Sequence, residues 1–441
     1  MVSSTTTATM DSKAVLMKAL KQESELRCEI SETETITVKL TSGSAEIFGI
    51  EMALNKEYVF HDENIAIFTW YGCTMDISGT YSSEKVYESD KTPMVAYVNT
   101  HAQLQAKRDA ALANLELGPC VLVVGPPDHG KSTASRIIAA YAARLDRLPI
   151  YVDFDIGLGS SNVPGSMCAV PLEKSSMNIE DGFSAFMPLA YFYGHDSPQG
   201  NIELFKRLSA QLASKVFERL NRDNEARASG VIINTTGWVD GKGNELLHHY
   251  IEIFKVDVVL VMNSDKLYSS LHSSLSSSAK KITVVNLASS GGIVRRDAEA
   301  RRKLRKSKIK EYFYGSSKVK SMVFSPSRQD LHISSLKLYK AGGVQLSEGM
   351  RLVGDDSAAD MTALVKVAAT SDMVHTVVAV LHHTSADGDA AEPISLLTGN
   401  VAGYLWIVQV DLEQDLLTVL SPCPGHLPSK NLLLSNIKWI E

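Results

Sequence analysis

This sequence of 441 residues has few cysteines, no long apolar run and little net charge, and each shortage excludes a class of protein. Its five cysteines lack C-x-x-C spacing, which argues against a disulfide framework or a zinc site and favours a reducing compartment. No run of about 18 apolar residues is present, so we expect a soluble, intracellular protein with no membrane partner. The net charge of −6 gives no general attraction to nucleic acid, so any such binding requires a local basic site.

The sequence does contain a phosphate-binding loop. Residues 125–133 read Gly-Pro-Pro-Asp-His-Gly-Lys-Ser-Thr and match G-x-x-x-x-G-K-[ST], between an apolar strand-like run at 120–124 and a helical pattern. Lys131 would add a positive charge for the β- and γ-phosphates, and Ser132 a hydroxyl for Mg²⁺. The predicted nucleotide-binding residues of the loop are Gly125, Asp128, His129, Gly130, Lys131, Ser132 and Thr133.

The residue pattern predicts an α/β fold, in which a central P-loop domain with a parallel sheet is flanked by two β domains. The predicted divisions are a disordered tail (1–13), an N-terminal β-sandwich or barrel (14–112), the P-loop domain (113–316) and a mostly-β C-terminal domain (317–441). The predicted strands of the P-loop domain are 120–124, 150–154, 230–234, 256–262 and 282–287. They alternate with helical stretches that include 204–222 and 242–255. In the C-terminal domain, 404–410 and 416–420 predict a hairpin.

A P-loop requires an acidic partner at the end of a neighbouring strand to hold hydrated Mg²⁺. The segment Tyr151-Val152-Asp153-Phe154-Asp155 supplies two candidates on the same side of a strand. We favour Asp155, because it is nearer the carboxyl edge of the sheet, where the phosphates bind. The alternative is an acid that only caps the following turn.

The segment 295–310 is strongly basic, with nine Lys or Arg residues against two acids. Three interpretations stay open from spacing alone: a solvated helix face, a nuclear localisation signal at 301–306, or a mobile lid whose arginines close over the triphosphate. Arg296 and Arg301 would diverge by about 140° on a continuous helix, so they could act as a pair only if the segment bends.

Trp238 follows a glycine at the end of another buried strand, in the segment Asn234-Thr235-Thr236-Gly237-Trp238. It is either part of the core or a stacking platform for a nucleobase. The segment 263–266 does not fit N-K-x-D, so guanine recognition in the manner of GTPases is not expected.

These motifs together resemble a family that extends over nearly the whole chain, the polynucleotide 5′-hydroxyl kinases of the eukaryotic pre-mRNA cleavage and polyadenylation machinery. Beside the P-loop, the resemblance depends on the segments 23–27, 45–49, 68–70, 99–101, 163–165, 233–238, 290–292, 310–315 and 420–422. It implies an ATP-dependent RNA kinase with Mg²⁺ as cofactor. The implied substrate is RNA with a 5′-hydroxyl end, and the implied partners are other subunits of the cleavage factor and of the tRNA splicing endonuclease, in the nucleus.

The resemblance also implies roles for individual residues. Lys131 would contact the phosphates, Ser132 and Asp155 would hold Mg²⁺, and Asp155 would also orient or deprotonate the attacking hydroxyl. Arg296 and Arg301 match lid arginines. Trp238 matches a clasp on the RNA end, and Glu25 and Asn64 match positions that contact the nucleotide.

Two departures from the family pattern favour an alternative function. Leu158 stands where these kinases usually have glutamine, and Asn64 where relatives have lysine. Neither change alters the P-loop, so the alternative is a catalytically silent, ATP-bound scaffold subunit of the same cleavage factor.

Overall fold

A computed structural model describes residues 15–158, 162–180, 182–183, 188–276, 281–315, 324–342, 362–382 and 396–441. The chain forms two compact units. The first comprises Met1–Thr92, Asn178–Gly182 and Ser290–Gly292, and the second comprises Pro93–Met177, Phe183–Ser289 and Ile293–Glu441. The predicted tail 1–13 and the predicted boundary between 316 and 317 lie outside the described residues.

The first unit is a β-sandwich. Its strands are β1 (Leu16–Leu20), β2 (Ser24–Glu29), β3 (Thr35–Gly43), β4 (Glu46–Ile47), β5 (Ile50–Glu51), β6 (Glu57–His61), β7 (Asn64–Thr69), β8 (Cys73–Thr80) and β9 (Val86–Ser89). They form two sheets, ordered β1-β8-β3-β6 and β5-β4-β7-β2-β9. Ile36 and Val38 from one sheet share a buried core with Leu26 and Ile67 from the other, as the apolar–polar alternation of these strands predicts.

The second unit contains the predicted parallel sheet. The strands in this part of the chain are β10 (Cys120–Val124), β11 (Ile150–Asp153), β12 (Ser166–Pro171), β13 (Met177–Asn178), β14 (Gly182–Phe183), β15 (Leu189–Phe192), β16 (Val231–Asn234), β17 (Val258–Met262) and β18 (Thr283–Leu287). Strands β13 and β14 each include one residue of the first unit, Asn178 and Gly182. The sheet order is β15-β12-β11-β16-β10-β17-β18, and β13 pairs separately with β14. The strands from β11 to β18 in this order pair in parallel, whereas β12 and β15 add an antiparallel edge that the sequence did not predict.

The described residues of the second unit also form helices. They are α1 (Met94–Asn114), α2 (Lys131–Arg144), α3 (Ile202–Arg222), α4 (Asn224–Ser229), α5 (Lys242–Ile253), α6 (Asp265–Ser276) and α7 (Ala298–Tyr314). Helix α3 packs against β12 and β15 and helix α5 against β10, and their apolar sides share one core with these strands. None of the helices among the described residues has the length and apolar character that a membrane span requires.

Helix α1 differs from the expectation for its segment. The sequence pattern places residues 94–112 in the N-terminal β domain, whereas in the structure they are helical and group with the second unit. The buried residues of α1 recur every three or four positions, which is the period of a helix: Met94, Tyr97, His101, Leu104, Arg108 and Ala111. Two of these positions are polar, so the pattern of apolar residues alone does not show the helical period.

The C-terminal part of the second unit is a separate, mostly antiparallel sheet. Its strands are β19 (Ser327–His332), β20 (Lys337–Ala341), β21 (Leu364–Lys366), β22 (Thr376–Leu381), β23 (Val401–Asp411), β24 (Leu416–Ser421) and β25 (Asn431–Lys438). The order is β19-β24-β23-β22-β25-β20-β21. The predicted hairpin is confirmed, because β23 and β24 pair antiparallel across a short turn.

Candidate nucleotide and phosphoryl-transfer site

The P-loop connects the central strand β10 to helix α2, where the carboxyl ends of β10, β11 and β16 lie at one edge of the sheet. Gly130, the last residue before α2, has a φ of +77°, a left-handed conformation that glycine adopts without steric cost. The first turn of α2 has free N–H groups and the positive end of the helix dipole. The loop is therefore built to receive an anion such as a triphosphate.

Lys131 is the first residue of α2, and its side chain lies against the loop. Its Nζ donates a hydrogen bond to the carbonyl oxygen of Pro126 at 2.9 Å. Burial lowers the pKa of Lys131 from its ordinary value of 10.5 to about 8, while the charges of Asp155 and Asp128 oppose this decrease. The ammonium group therefore stays mainly protonated at neutral pH and can attract phosphate oxygens.

The other predicted residues of the loop occupy its rim and its two ends. Gly125 is buried, and a Cβ atom added at this position would lie 3.0 Å from the Met262 carbonyl oxygen. His129 is partly exposed, and its Nδ1 lies 2.7 Å from the carbonyl oxygen of Pro127. Thr133 is partly exposed in the first turn of α2. Their roles in nucleotide binding stay predictions.

Asn234 forms hydrogen bonds to Ser132, a predicted Mg²⁺ ligand, and to Asp153, two residues before the other predicted ligand. Asn234 is not among the site residues predicted from the sequence. Its Nδ2 lies 3.1 Å from Ser132 Oγ and donates to Asp153 Oδ1 at 3.0 Å. Its side chain is fully buried at the end of β16. A polar residue directly after the apolar run Val231–Ile233, at the edge where the P-loop begins, was the signal that could have identified it.

Asp155 lies just beyond β11, close to the cations of the site. Its backbone N–H donates to Asp153 Oδ1 at 2.9 Å. Burial, and then the charge of Asp153, raise the pKa of Asp155 from 3.8 to about 6, whereas Lys131 and Arg301 act in the opposite direction. A carboxyl group with this pKa can accept a proton from a hydroxyl near neutral pH. Leu158 is partly buried in the turn that follows, with its N–H 3.4 Å from the Asp155 carbonyl oxygen.

Arg296 and Arg301 converge on one carboxylate. Arg301 Nη2 forms an ion pair with Asp128 Oδ2. Arg296 donates its backbone N–H to the same oxygen at 3.0 Å, and its Nη1 lies 3.6 Å from Asp128 Oδ1. The divergence expected on a continuous helix does not arise, because α7 begins at Ala298, with Asp297 as N-cap, and Arg296 precedes it. The structure thus brings the two predicted lid arginines together at the P-loop.

Trp238 belongs to a segment that packs directly on the P-loop. A Cβ atom on Gly237 would lie 2.6 Å from Pro127 N and 2.7 Å from Pro127 Cα, so only glycine permits this approach. Trp238 is half-buried and packs against the core of the central sheet. Its other half is accessible, so the position suits both interpretations, and a role in gripping RNA stays a prediction.

Comparison with known proteins identifies the family. Residues 125–315 match the description "mRNA cleavage and polyadenylation factor CLP1 P-loop". Residues 19–111 match "N-terminal beta-sandwich domain of polyadenylation factor", and residues 324–441 match "Pre-mRNA cleavage complex II protein Clp1". Protein CLP1 homolog of Nematostella vectensis is 41% identical over 427 residues, which are 96% of this chain and 96% of that protein. The chain belongs to the Clp1 family.

Other members of the Clp1 family extend over the same length. Polyribonucleotide 5′-hydroxyl-kinase Clp1 of Homo sapiens is 38% identical over 432 residues, 98% of both chains. A solved structure of wild-type Clp1p in complex with Pcf11p (454–563) aligns with a TM-score of 0.83 over 97% of this chain and 99% of that one. At 24% identity, that likeness supports the fold alone. The resemblance and the fold class inferred from the sequence are both confirmed.

Glu25 and Asn64 belong to the first unit. Glu25 is buried on β2, pairs with Arg27 Nε at 2.6 Å and accepts a hydrogen bond from Ser290 Oγ at 3.2 Å. Asn64 is exposed at the start of β7, opposite Glu29 in the sheet. Contact of either residue with nucleotide in this Clp1 family member stays a prediction.

The contact between Gly237 and Pro127 leads to a testable prediction. We expect Gly237→Ala to lower the rate of phosphoryl transfer by roughly 10- to 100-fold, because the added Cβ displaces the P-loop or the Trp238 segment and small misplacements at a reacting centre are costly. Transfer rates and melting temperature, measured on the same preparation, check this. An unchanged rate in the folded variant would show that the close approach does not matter to the site.

Proposed function

We propose that this chain is an ATP-dependent RNA 5′-hydroxyl kinase that acts in nuclear RNA processing, in mRNA 3′-end cleavage and polyadenylation and in tRNA splicing. The observation that carries the proposal is the convergence of Lys131, Asp155 and the arginines Arg296 and Arg301 around one P-loop. Phosphoryl transfer requires such a set, with cations for the phosphate oxygens and a carboxylate for the attacking hydroxyl. The kinase name of the human relative supports the same reaction.

In the proposed reaction, a bond forms between the RNA 5′-oxygen and the γ-phosphorus of ATP. The bond from that phosphorus to the β–γ bridging oxygen breaks, ADP leaves, and the hydroxyl proton passes to the Asp155 carboxylate. Lys131 and the two lid arginines neutralise the charge that spreads over the phosphate oxygens. Trp238 stacks on the terminal nucleotide and fixes the hydroxyl in line with the phosphorus.

Ser132 and Asp155 fit a magnesium ion. Both offer oxygen, which is the donor that Mg²⁺ prefers. Burial and then repulsion from Asp153 raise the pKa of Asp155, and a nearby cation would stabilise its charged form. The described residues contain no cluster of three or more His, Cys, Asp or Glu side chains able to hold a metal, so phosphate and water oxygens would complete the shell. Ser132 and Asp155 would hold the ion, and its chemistry there would be to supply positive charge against the phosphate oxygens.

Partners and location follow from the same proposal. A solved relative assembles with Pcf11p, and this supports a place for our chain beside other cleavage-factor subunits; tRNA splicing endonuclease subunits are a further proposed partner. Within 301–306, Arg301 and Arg305 form ion pairs with Asp128 and Asp196, which supports the lid interpretation for these two arginines, whereas Arg302, Lys303 and Lys306 are exposed, as a nuclear localisation signal requires. A tagged chain that stayed outside the nucleus and recovered no cleavage-factor subunit would contradict the proposed location and partners.

Transfer of radiolabelled γ-phosphate to RNA with a 5′-hydroxyl end tests the kinase proposal. The same oligonucleotide with a 5′-phosphate is the control, because it offers no acceptor. We expect label on the first RNA only, in the presence of Mg²⁺. If the folded chain binds ATP but transfers no label, the kinase proposal fails and the scaffold alternative, which Leu158 favours, takes its place.

A further inference from the structure

We propose that Asp128 is a positioning residue, whose carboxylate holds the guanidinium groups of Arg296 and Arg301 over the P-loop during phosphoryl transfer. The inference rests on the proposed kinase function. The P-loop motif assigns to this position a contact between its backbone and phosphate. The proposed role of Asp128 belongs instead to its side chain. Asp128 would act on the reaction only through the two arginines.

The contacts of Asp128 show both arginines on one carboxylate. Arg301 Nη2 pairs with Oδ2, the Arg296 backbone N–H donates to Oδ2 at 3.0 Å, and Arg296 Nη1 lies 3.6 Å from Oδ1. The Asp128 side chain is 9% exposed, while those of Arg301 and Arg296 are 28% and 40% exposed. The carboxylate is thus covered by the arginines, whereas the guanidinium groups keep accessible N–H donors. A guanidinium has five N–H groups, so both arginines retain donors for phosphate oxygens.

The backbone of the loop allows an aspartate at this position. Asp128 has a φ of +56°, a left-handed conformation that is unfavourable for most residues but is tolerated by aspartate and asparagine. Asp128 is the residue before His129 in the P-loop, so the backbone conformation of the loop fixes the distance between the carboxylate and the phosphate-binding part of the loop. Asparagine can replace it without new backbone strain, which isolates the effect of the charge.

The two ends of α7 are held in different ways. At the carboxyl end, Phe313 is fully buried and stacks on Trp439, with ring centroids 5.7 Å apart, and the backbone N–H of Tyr404 donates to Tyr312 Oη at 2.9 Å. At the amino end, residues 294–300 are all exposed. Loss of the Asp128 charge therefore frees the arginines without removing the packing that fixes the rest of the helix.

The directions in which KM and kcat change distinguish a positioning role of Asp128 from a direct role in ATP binding. Asp128 carries a negative charge beside the place where a triphosphate binds, so its removal should leave the KM for ATP unchanged or lower it. The arginines, no longer held, should give less transition-state stabilisation, and kcat should fall by roughly 10- to 100-fold. Simple damage to the loop would instead raise KM and lower kcat together.

The test is a double-mutant cycle in the full chain. We expect Asp128→Asn to lower kcat by roughly 10- to 100-fold, and to add nothing when Arg296 and Arg301 are already alanine. Asp297→Asn is the matched control, since it removes a neighbouring charge while asparagine preserves the N-cap of α7. Wild-type kcat in Asp128→Asn, or effects that multiply with those of the arginine substitutions, would overturn the proposal.

Limited trypsin digestion tests the same contact without the reaction. Cleavage within 295–302 should be faster in Asp128→Asn than in Asp297→Asn, because the arginines are released from the loop. Equal rates would contradict the inference. If the wild-type chain transfers no phosphate, the kinase proposal fails on that result, whereas the digestion still decides whether Asp128 holds the lid.

Discussion

Lys131→Ala should abolish measurable phosphoryl transfer, with kcat reduced by about 10³-fold or more, which corresponds to about 4 kcal/mol of transition-state stabilisation. The ammonium group is the only cation that the P-loop motif places within the phosphate cradle itself, and the structure fixes it there by a hydrogen bond to the Pro126 carbonyl oxygen. Steady-state transfer of labelled phosphate to 5′-hydroxyl RNA measures the loss. Transfer within tenfold of wild type would exclude Lys131 from the reaction.

Lys131→Met is the companion variant, because it keeps most of the volume of the buried stem. It should lose transfer to the same degree while the fold is retained. The pKa of Lys131 is about 8 in the folded chain and 10.5 ordinarily, so the unfolded chain binds more protons between these values. The free energy of unfolding of the wild type should therefore rise as pH increases from 8 to 10.5, relative to Lys131→Met. Equal slopes for the two proteins would contradict the burial of the charged group.

The sequence predicted the central sheet well because its strands are unusually distinct. Strand β10 is apolar and buried at every position, and a motif with fixed geometry follows it. The antiparallel strands β12 and β15 were not predicted, since no α-helix among the described residues lies between β11 and β12 or between β12 and β15 to indicate a crossover. Helix α1 was missed because His101 and Arg108 interrupt its apolar stripe, although both are buried.

The site could be predicted residue by residue only where a motif fixes the geometry. Lys131 and Ser132 follow from the P-loop, but the pairing of Arg296 with Arg301 depends on where α7 begins. Asp297 was the available signal, because aspartate is a preferred N-cap and its Oδ1 accepts the N–H of Ala300 at 2.7 Å. Asn234 could have been identified as a polar strand end, but not its hydrogen bonds, since Ser132 lies on α2 and Asp153 on β11 and only the folded sheet brings the three residues together.

Asp155→Asn should lower kcat by roughly 10²- to 10⁴-fold, as expected when a general base is lost. Asp155 lies near Lys131 and Arg301, and its pKa of about 6 lets it take up a proton under neutral conditions. Asparagine has nearly the same shape but cannot accept that proton. The measurement is kcat at saturating ATP and RNA, together with the Mg²⁺ concentration that gives half-maximal rate, which should rise if Asp155 also holds the ion.

Asp153→Asn is the matched comparison, since the two carboxylates are two residues apart. Asp153 Oδ1 already accepts hydrogen bonds from Asn234 Nδ2 and from the Asp155 N–H, and its side chain is nearly inaccessible. An amide oxygen can accept both bonds, so we expect a loss of kcat at least tenfold smaller than in Asp155→Asn. The reverse order, with both variants folded, would transfer the role of base to Asp153. It would also mean that the carboxylate of Asp153, within the buried hydrogen-bond network of Asn234 and Ser132, faces the reacting phosphate. The more accessible carboxylate of Asp155 would then not face it.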